Sequence, residues 1–149
     1  VLIENPDRAE LWAHEEILRG AGYEVAACTG PSAASAGGAG FQHRSFILEG
    51  MEPAKTERTL CPLVAGQRCP LVDGADVVIS STSLVDGREI LAAHDAEGRA
   101  RLVVEGARQT LERDRDVMGG DATVIVEPVT EERLLAAVRQ ALEPRSEEE

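Results

Sequence analysis

Four short apolar runs, each closing on polar residues, set the rhythm of the chain: Val1-Leu2-Ile3-Glu4-Asn5, Ala75-Asp76-Val77-Val78-Ile79-Ser80-Ser81, Arg101-Leu102-Val103-Val104-Glu105-Gly106 and Thr123-Val124-Ile125-Val126-Glu127-Pro128. Runs of this length, rich in valine and isoleucine, read as buried strands. Tyr23 to Cys28 reads as a fifth strand, second in chain order. Between the runs the apolar positions fall at helical spacing. Pro6 and Asp7 open a first helix whose stripe includes Leu11, Ile17 and Leu18, and Gly20-Ala21-Gly22 closes it. Further helices are predicted over Asp86 to His94 and Ala107 to Met118, the latter stopped by Gly119-Gly120. Thr130 caps a last helix carrying Leu134, Leu135, Val138 and Leu142, with Glu131 and Glu132 favourable in its first turn.

Alternating strands and helices predict an α/β fold, a doubly wound five-stranded parallel sheet with helices on both faces. One connection breaks the rhythm. Residues 29–74, between strands two and three, are about twice the length a single crossover helix needs. Thr29 to Gly40 reads as a loop, Phe41 to Leu48 as a short strand or hairpin arm, and Pro53 to Leu60 as a helix. The division expected is one domain over residues 1–143 with this enlarged connection, and an acidic tail at 144–149. Open α/β sheets bind ligands beyond the carboxyl ends of their strands, so the polar run-ends mark the candidate site.

Charge narrows the choice of partner. A formal net charge of −12 and a pI near 4.7 argue against nucleic acid and against an anionic membrane surface. Aromatic residues make up 3%, so the core must be aliphatic, and Lys55 is the only lysine. No run approaches the ~18 apolar residues of a membrane span. The first residues read as a strand rather than a signal peptide, which makes the cytoplasm the expected location.

Several segments together carry a resemblance: Val1-Leu2-Ile3-Glu4-Asn5, Ala21-Gly22-Tyr23-Glu24-Val25, Asp76-Val77-Val78-Ile79 ahead of Asp86-Gly87, and Glu127-Pro128-Val129 followed by Thr130 to Leu135. Over roughly residues 1–28 and 75–143 the chain resembles the response-regulator receiver domain. The resemblance implies a flavodoxin-like, receiver-like sheet. It also implies phosphoryl transfer to an aspartate ending strand three, with Mg²⁺ held by acids after strand one. A hydroxyl residue ends strand four, and a lysine before a cis proline ends strand five. Carried over, Ser81 stands at the acceptor position, Glu4 matches one metal acid, and Asn5 replaces the second. Gly106 replaces the switch hydroxyl, and Glu127 before Pro128 replaces the lysine. A serine hydroxyl offers no ready acyl-phosphate chemistry, and carboxylates at Glu4, Glu105 and Glu127 would repel a phosphoryl donor. The resemblance therefore implies a degenerate site and a pseudo-receiver, with attraction of a cation by Glu4 and Glu127 weighed against solvated carboxylates holding nothing. In receivers the face around strands four and five is the usual docking site. That implies a protein partner, a second copy of the chain included, contacting the helices over 107–118 and 130–142.

Cys28 ends strand two, and Cys61-Pro62-Leu63-Val64 is repeated as Cys69-Pro70-Leu71-Val72. Three readings stand open. The cysteines are small apolar packing residues, since free cysteine is among the most buried types. Alternatively Cys61 and Cys69 form a redox-sensitive pair. Or the three thiols ligate a metal, an iron–sulfur cluster or haem, with His43, a carboxylate or another subunit completing the set. If they act together, the Cys61–Cys69 segment should lie near Cys28.

The remaining motifs add little. Gly37-Gly38-Ala39-Gly40 lacks the lysine and strand-to-helix context of a phosphate loop and reads as linker. His14, His43 and His94 form no metal-binding pair, with His14 and His94 read as half-buried or surface residues on helices; Trp12 reads as a core or interface anchor, and no G-x-S-x-G surrounds Ser81. No catalytic constellation and no obligatory cofactor emerge. The sequence leads to a non-enzymatic, phosphorylation-independent receiver-like module that works through protein contacts in signalling. A cysteine-based redox, metal, iron–sulfur or haem sensor on the same fold is the alternative.

Overall fold

The computed structural model describes residues 1–30, 61–98 and 100–144. The elements run β1 (Leu2–Glu4), α1 (Arg8–Gly20), β2 (Ala26–Cys28), α2 (Pro70–Asp73), β3 (Val77–Ser81), α3 (Gly87–Glu97), β4 (Arg101–Gly106), α4 (Arg108–Arg113), β5 (Thr123–Val126) and α5 (Glu131–Leu142). All strand pairs are parallel and lie in the order β2-β1-β3-β4-β5. This is the flavodoxin-like doubly wound order. The proposed strand at 41–48, the helix at 53–60, the glycine run at 37–40, Lys55, His43 and the tail beyond Pro144 lie outside the described residues.

Strand alternation sends neighbouring residues to opposite faces. Ile3, Val77, Ile79, Val103 and Ile125 pack with Leu11 and Leu18 of α1 and Leu134, Ala137, Val138 and Ala141 of α5. Leu2 and Val78 pack on the other face with Leu63, Val72 of α2, Leu84 and Ile90 of α3. Val104 joins Leu91, Leu111 and Met118 on that side. Among the described residues the buried core is aliphatic but for Met118, in keeping with the scarcity of aromatics. Trp12 is not part of it: the side chain is 65% exposed on the outer face of α1.

Local chemistry accounts for most boundaries. Asp7 caps α1 by accepting from the backbone N–H groups of Ala9 (2.9 Å) and Glu10 (3.2 Å), and the Thr130 hydroxyl accepts from Arg133 N (3.3 Å) at the start of α5. Two elements are shorter than their patterns predict. β2 begins only at Ala26, and Tyr23 and Val25 pack against the core from outside the ladder. α4 ends at Arg113 rather than at Met118. The cause lies next to its end: Asp114 is buried, and its carboxylate accepts from Arg113 Nε (2.9 Å) and Arg88 Nη1 (2.9 Å). Pinning Asp114 to α3 takes the chain out of helix.

Candidate functional site

The carboxyl ends of β1, β3, β4 and β5 bring Glu4, Asn5, Ser80, Ser81, Glu105, Gly106 and Glu127 to one end of the sheet. Alternation then divides them between the two faces, which separates residues that the sequence groups together. Glu4 shares the face of Leu2 and Val78 and is 4% exposed. Its Oε2 lies 2.9 Å from Nε2 of His94 on α3, in a buried carboxylate–imidazole hydrogen bond. Ser80, the in-register neighbour of Glu4, is fully buried and its hydroxyl has no hydrogen-bond partner.

Glu105 occupies the opposite face and is 2% exposed. Asn5 Nδ2 donates to Glu105 Oε1 (2.8 Å) and to Glu10 Oε2 (3.2 Å), while Asn5 Oδ1 accepts from Asp7 N (2.9 Å). The amide is thus fixed in orientation. Glu105 Oε2 lies 3.5 Å from His14 Nδ1, yet neither buried atom makes a hydrogen bond. A buried polar atom in that condition costs on the order of 1–3 kcal/mol. Burial pushes the Glu105 carboxyl from 4.5 up to about 7; the Asn5 amide opposes this, and Glu10 and Glu127 add to it. Burial also lowers the His14 imidazole, against the pull of Glu10. Together Glu10, His14, Glu105 and Glu127 line a cavity of about 610 Å³ between α1 and the ends of β4 and β5.

The other receiver-like positions have local explanations. Ser81 is buried, and its hydroxyl accepts from Ser83 N (3.2 Å), closing the turn that follows β3. Gly106 lies against Thr82, whose N–H donates to Glu105 O (2.9 Å), and a Cβ at 106 would come within 3.0 Å of Thr82 Cβ. The side chain missing from β4 is replaced in space by one from the β3 loop. The Glu127–Pro128 bond is cis, as the resemblance implies, and Glu127 is exposed.

The magnesium ion of a receiver does not fit these residues. Glu4 is turned to His94 on one face, and Asn5 spends its amide on Glu105, Glu10 and Asp7 on the other. Glu4 and Glu127 therefore do not form the joint cation site weighed from the sequence; Glu10, Glu105 and Glu127 gather instead. His14 and His94, read from the sequence as half-buried or surface residues, are both buried, because each lies on the inner face of its helix against a strand-end glutamate. Ser80 and Glu10 are the members of the site that pattern reading passes over. The histidines carry a usable signal: His14 follows Leu11 by three positions and His94 follows Leu91 by three, so each continues a buried helical stripe.

Cys28, Cys61 and Cys69 are free, half-buried thiols packed against the same apolar cluster as Leu2, Leu63 and Val72. The Cys61 segment folds as a turn, with Val64 N donating to Cys61 O (3.0 Å) and Gln67 N to Pro62 O (2.7 Å). Gly66 supplies a positive φ of 72° within it. Burial pushes the Cys28 thiol up; a hydrogen bond from Gly30 N opposes this, and Glu4, Cys61 and Cys69 are close enough to add to the rise. Among the described residues no group of three or more His, Cys, Asp or Glu side chains is placed to hold a metal ion.

Neither a protein-family model nor a curated protein sequence matches the chain. The fold does have solved counterparts. A chemotaxis response regulator of Vibrio cholerae, CheY4, is similar with a TM-score of 0.59 at 17% identity, covering 95% of this chain and 96% of its own. A receiver domain protein from Clostridium thermocellum gives 0.57 at 17% identity, over 94% and 90% of the two chains. A CheY-like receiver domain protein from Methanospirillum hungatei gives 0.55 at 20% identity, over 93% and 89%. The described residues have the fold of response-regulator receiver domains. No described helix is long and apolar enough to cross a membrane.

Proposed function

We propose that this protein is a receiver-like signalling module that takes no phosphoryl group and acts by contact with a protein partner. One observation carries the reading. The acceptor position holds Ser81, a neutral and buried hydroxyl engaged with Ser83 N, where phosphoryl transfer needs an exposed carboxylate beside a metal. The surroundings point the same way. Glu127 brings negative charge where a lysine would neutralise the transferring group, and Glu4 is committed to His94. The module is non-enzymatic in this reading and resides in the cytoplasm. Incubation with a small acyl phosphate and Mg²⁺ is expected to leave the intact mass unchanged. A stable gain of one phosphoryl group, abolished by Ser81→Ala, would overturn the proposal.

A second reading, the cysteine-based sensor, rests on the packing of Cys28, Cys61 and Cys69 against one apolar cluster, which suits thiol redox chemistry better than a metal, since the three are not placed as a ligand set. It ranks behind the first because burial raises the Cys28 thiol, and thiolate is the reactive and ligating form.

A further inference from the structure

We propose that the cavity between α1 and the ends of β4 and β5 binds a ligand with an ammonium or guanidinium head on a short apolar stem. The walls divide by chemistry. Glu10 and Glu127 stand exposed at the sides, and Glu105 and His14 form the buried inner end. Ala13, Ile17, Pro128 and Val129 supply the apolar remainder. Glu105 Oε2 and His14 Nδ1 are buried at that inner end without a hydrogen-bond partner. Both can accept, given the neutral imidazole with its proton on Nε2, so what they lack is a donor. Ammonium and guanidinium groups offer three to five N–H donors with the charge that three carboxylates call for.

Size and donor placement select an organic cation over a metal ion. A cavity of about 610 Å³ has room for a head and several carbons. Among the described residues the carboxylates and imidazoles do not converge as a metal-ligand set. The charges facing Glu105 are Glu10 and His14 from α1 and Glu127 from the end of β5, with the neutral Asn5 amide from the β1 loop. None of these supplies a positive charge while His14 is neutral, and burial favours the neutral form. The inference rests on the signalling reading proposed above and deepens it by naming an input other than phosphate.

The test is an NMR titration of the intact chain with n-butylammonium, n-butylguanidinium, the tripeptide Gly-Arg-Gly and, as an uncharged control, 1-butanol. Near pH 8, saturable shifts are expected at the His14 ring and at the amides of Glu105, Glu127 and Val129. Binding should weaken at least about fivefold in Glu127→Gln and in Glu10→Gln, both surface changes that leave the core intact. It should weaken by up to about tenfold near pH 6, where Glu105 is mostly protonated. A response to the small ions that exceeds the tripeptide's assigns a free small molecule; a stronger response to the tripeptide assigns the side chain of a protein. The proposal fails if no cation shifts these signals at about 20 mM, beyond which affinity would be negligible. It also fails if 1-butanol shifts them equally or if both glutamine variants bind unchanged. Phosphorylation with cation binding intact would overturn only the earlier proposal; an unphosphorylated chain blind to every cation would overturn only this one.

Discussion

Gly106 shows how one missing side chain is explained by another residue. With Thr82 Cγ2 and Cβ at 2.9 and 3.0 Å from where its Cβ would stand, position 106 has no room for the hydroxyl residue a receiver carries. Gly106→Ser is expected to cost about 1–3 kcal/mol by overpacking. Urea unfolding should show that loss, and Thr82→Ala in the same chain should recover part of it. Glu105 carries a different signature. Its carboxyl titrates at about 7 in the folded protein against 4.5 ordinarily, so the unfolded chain gives up this proton first. Stability from this group therefore falls as pH rises from about 4.5 to 7, by on the order of 3 kcal/mol, and the loss is complete above that window. Glu105→Gln keeps an oxygen for Asn5 and has no charge to bury. Its unfolding midpoint should match the parent near pH 4 and exceed it near pH 8; equal midpoints at both would show that Glu105 titrates normally.

At the scale of elements, the Glu4–His94 bond fastens β1 to α3 across ninety positions of sequence. Removing one partner strands a buried polar group, so Glu4→Ala and His94→Ala should each be costly, by about 1–3 kcal/mol for the group left unpaired. A double-mutant cycle on unfolding free energies should give a coupling of about 1–3 kcal/mol; a coupling near zero would reduce the pair to mere proximity. This bond also marks the limit of what the chain reveals as a string. Strand alternation announces that Glu4 and Asn5 face opposite ways, yet likeness to an acidic pair invites them to be read together. The apolar runs place β1, β3, β4 and β5 within a residue or two, because burial on both faces leaves a plain signal. β2 and α4 are cut short by tertiary contacts: Tyr23 and Val25 pack on the core outside the ladder, and Asp114 is drawn to Arg88, twenty-six positions away. No local pattern carries that information.

For the whole molecule, β5 is the edge strand of the described sheet, flanked by α4 and α5, the face that the resemblance to receivers marks out for docking. Val124, Arg139 and Leu142 are exposed on these elements. If the protein self-associates there, Arg139→Glu should change the mass seen by sedimentation equilibrium; an unchanged mass would move the interface elsewhere. The fold that presents this face was legible from alternation, whereas the division of the strand-end chemistry between two sides was not. That division has a practical consequence. The sheet separates two imidazoles in unlike surroundings: His94 bonded to its carboxylate, His14 beside one but unbonded. Both are shielded from bulk water, so each becomes a built-in spectroscopic probe of its own layer. A disturbance confined to one layer can be told from a loosening of the entire body by watching which ring responds, with no label attached to the protein.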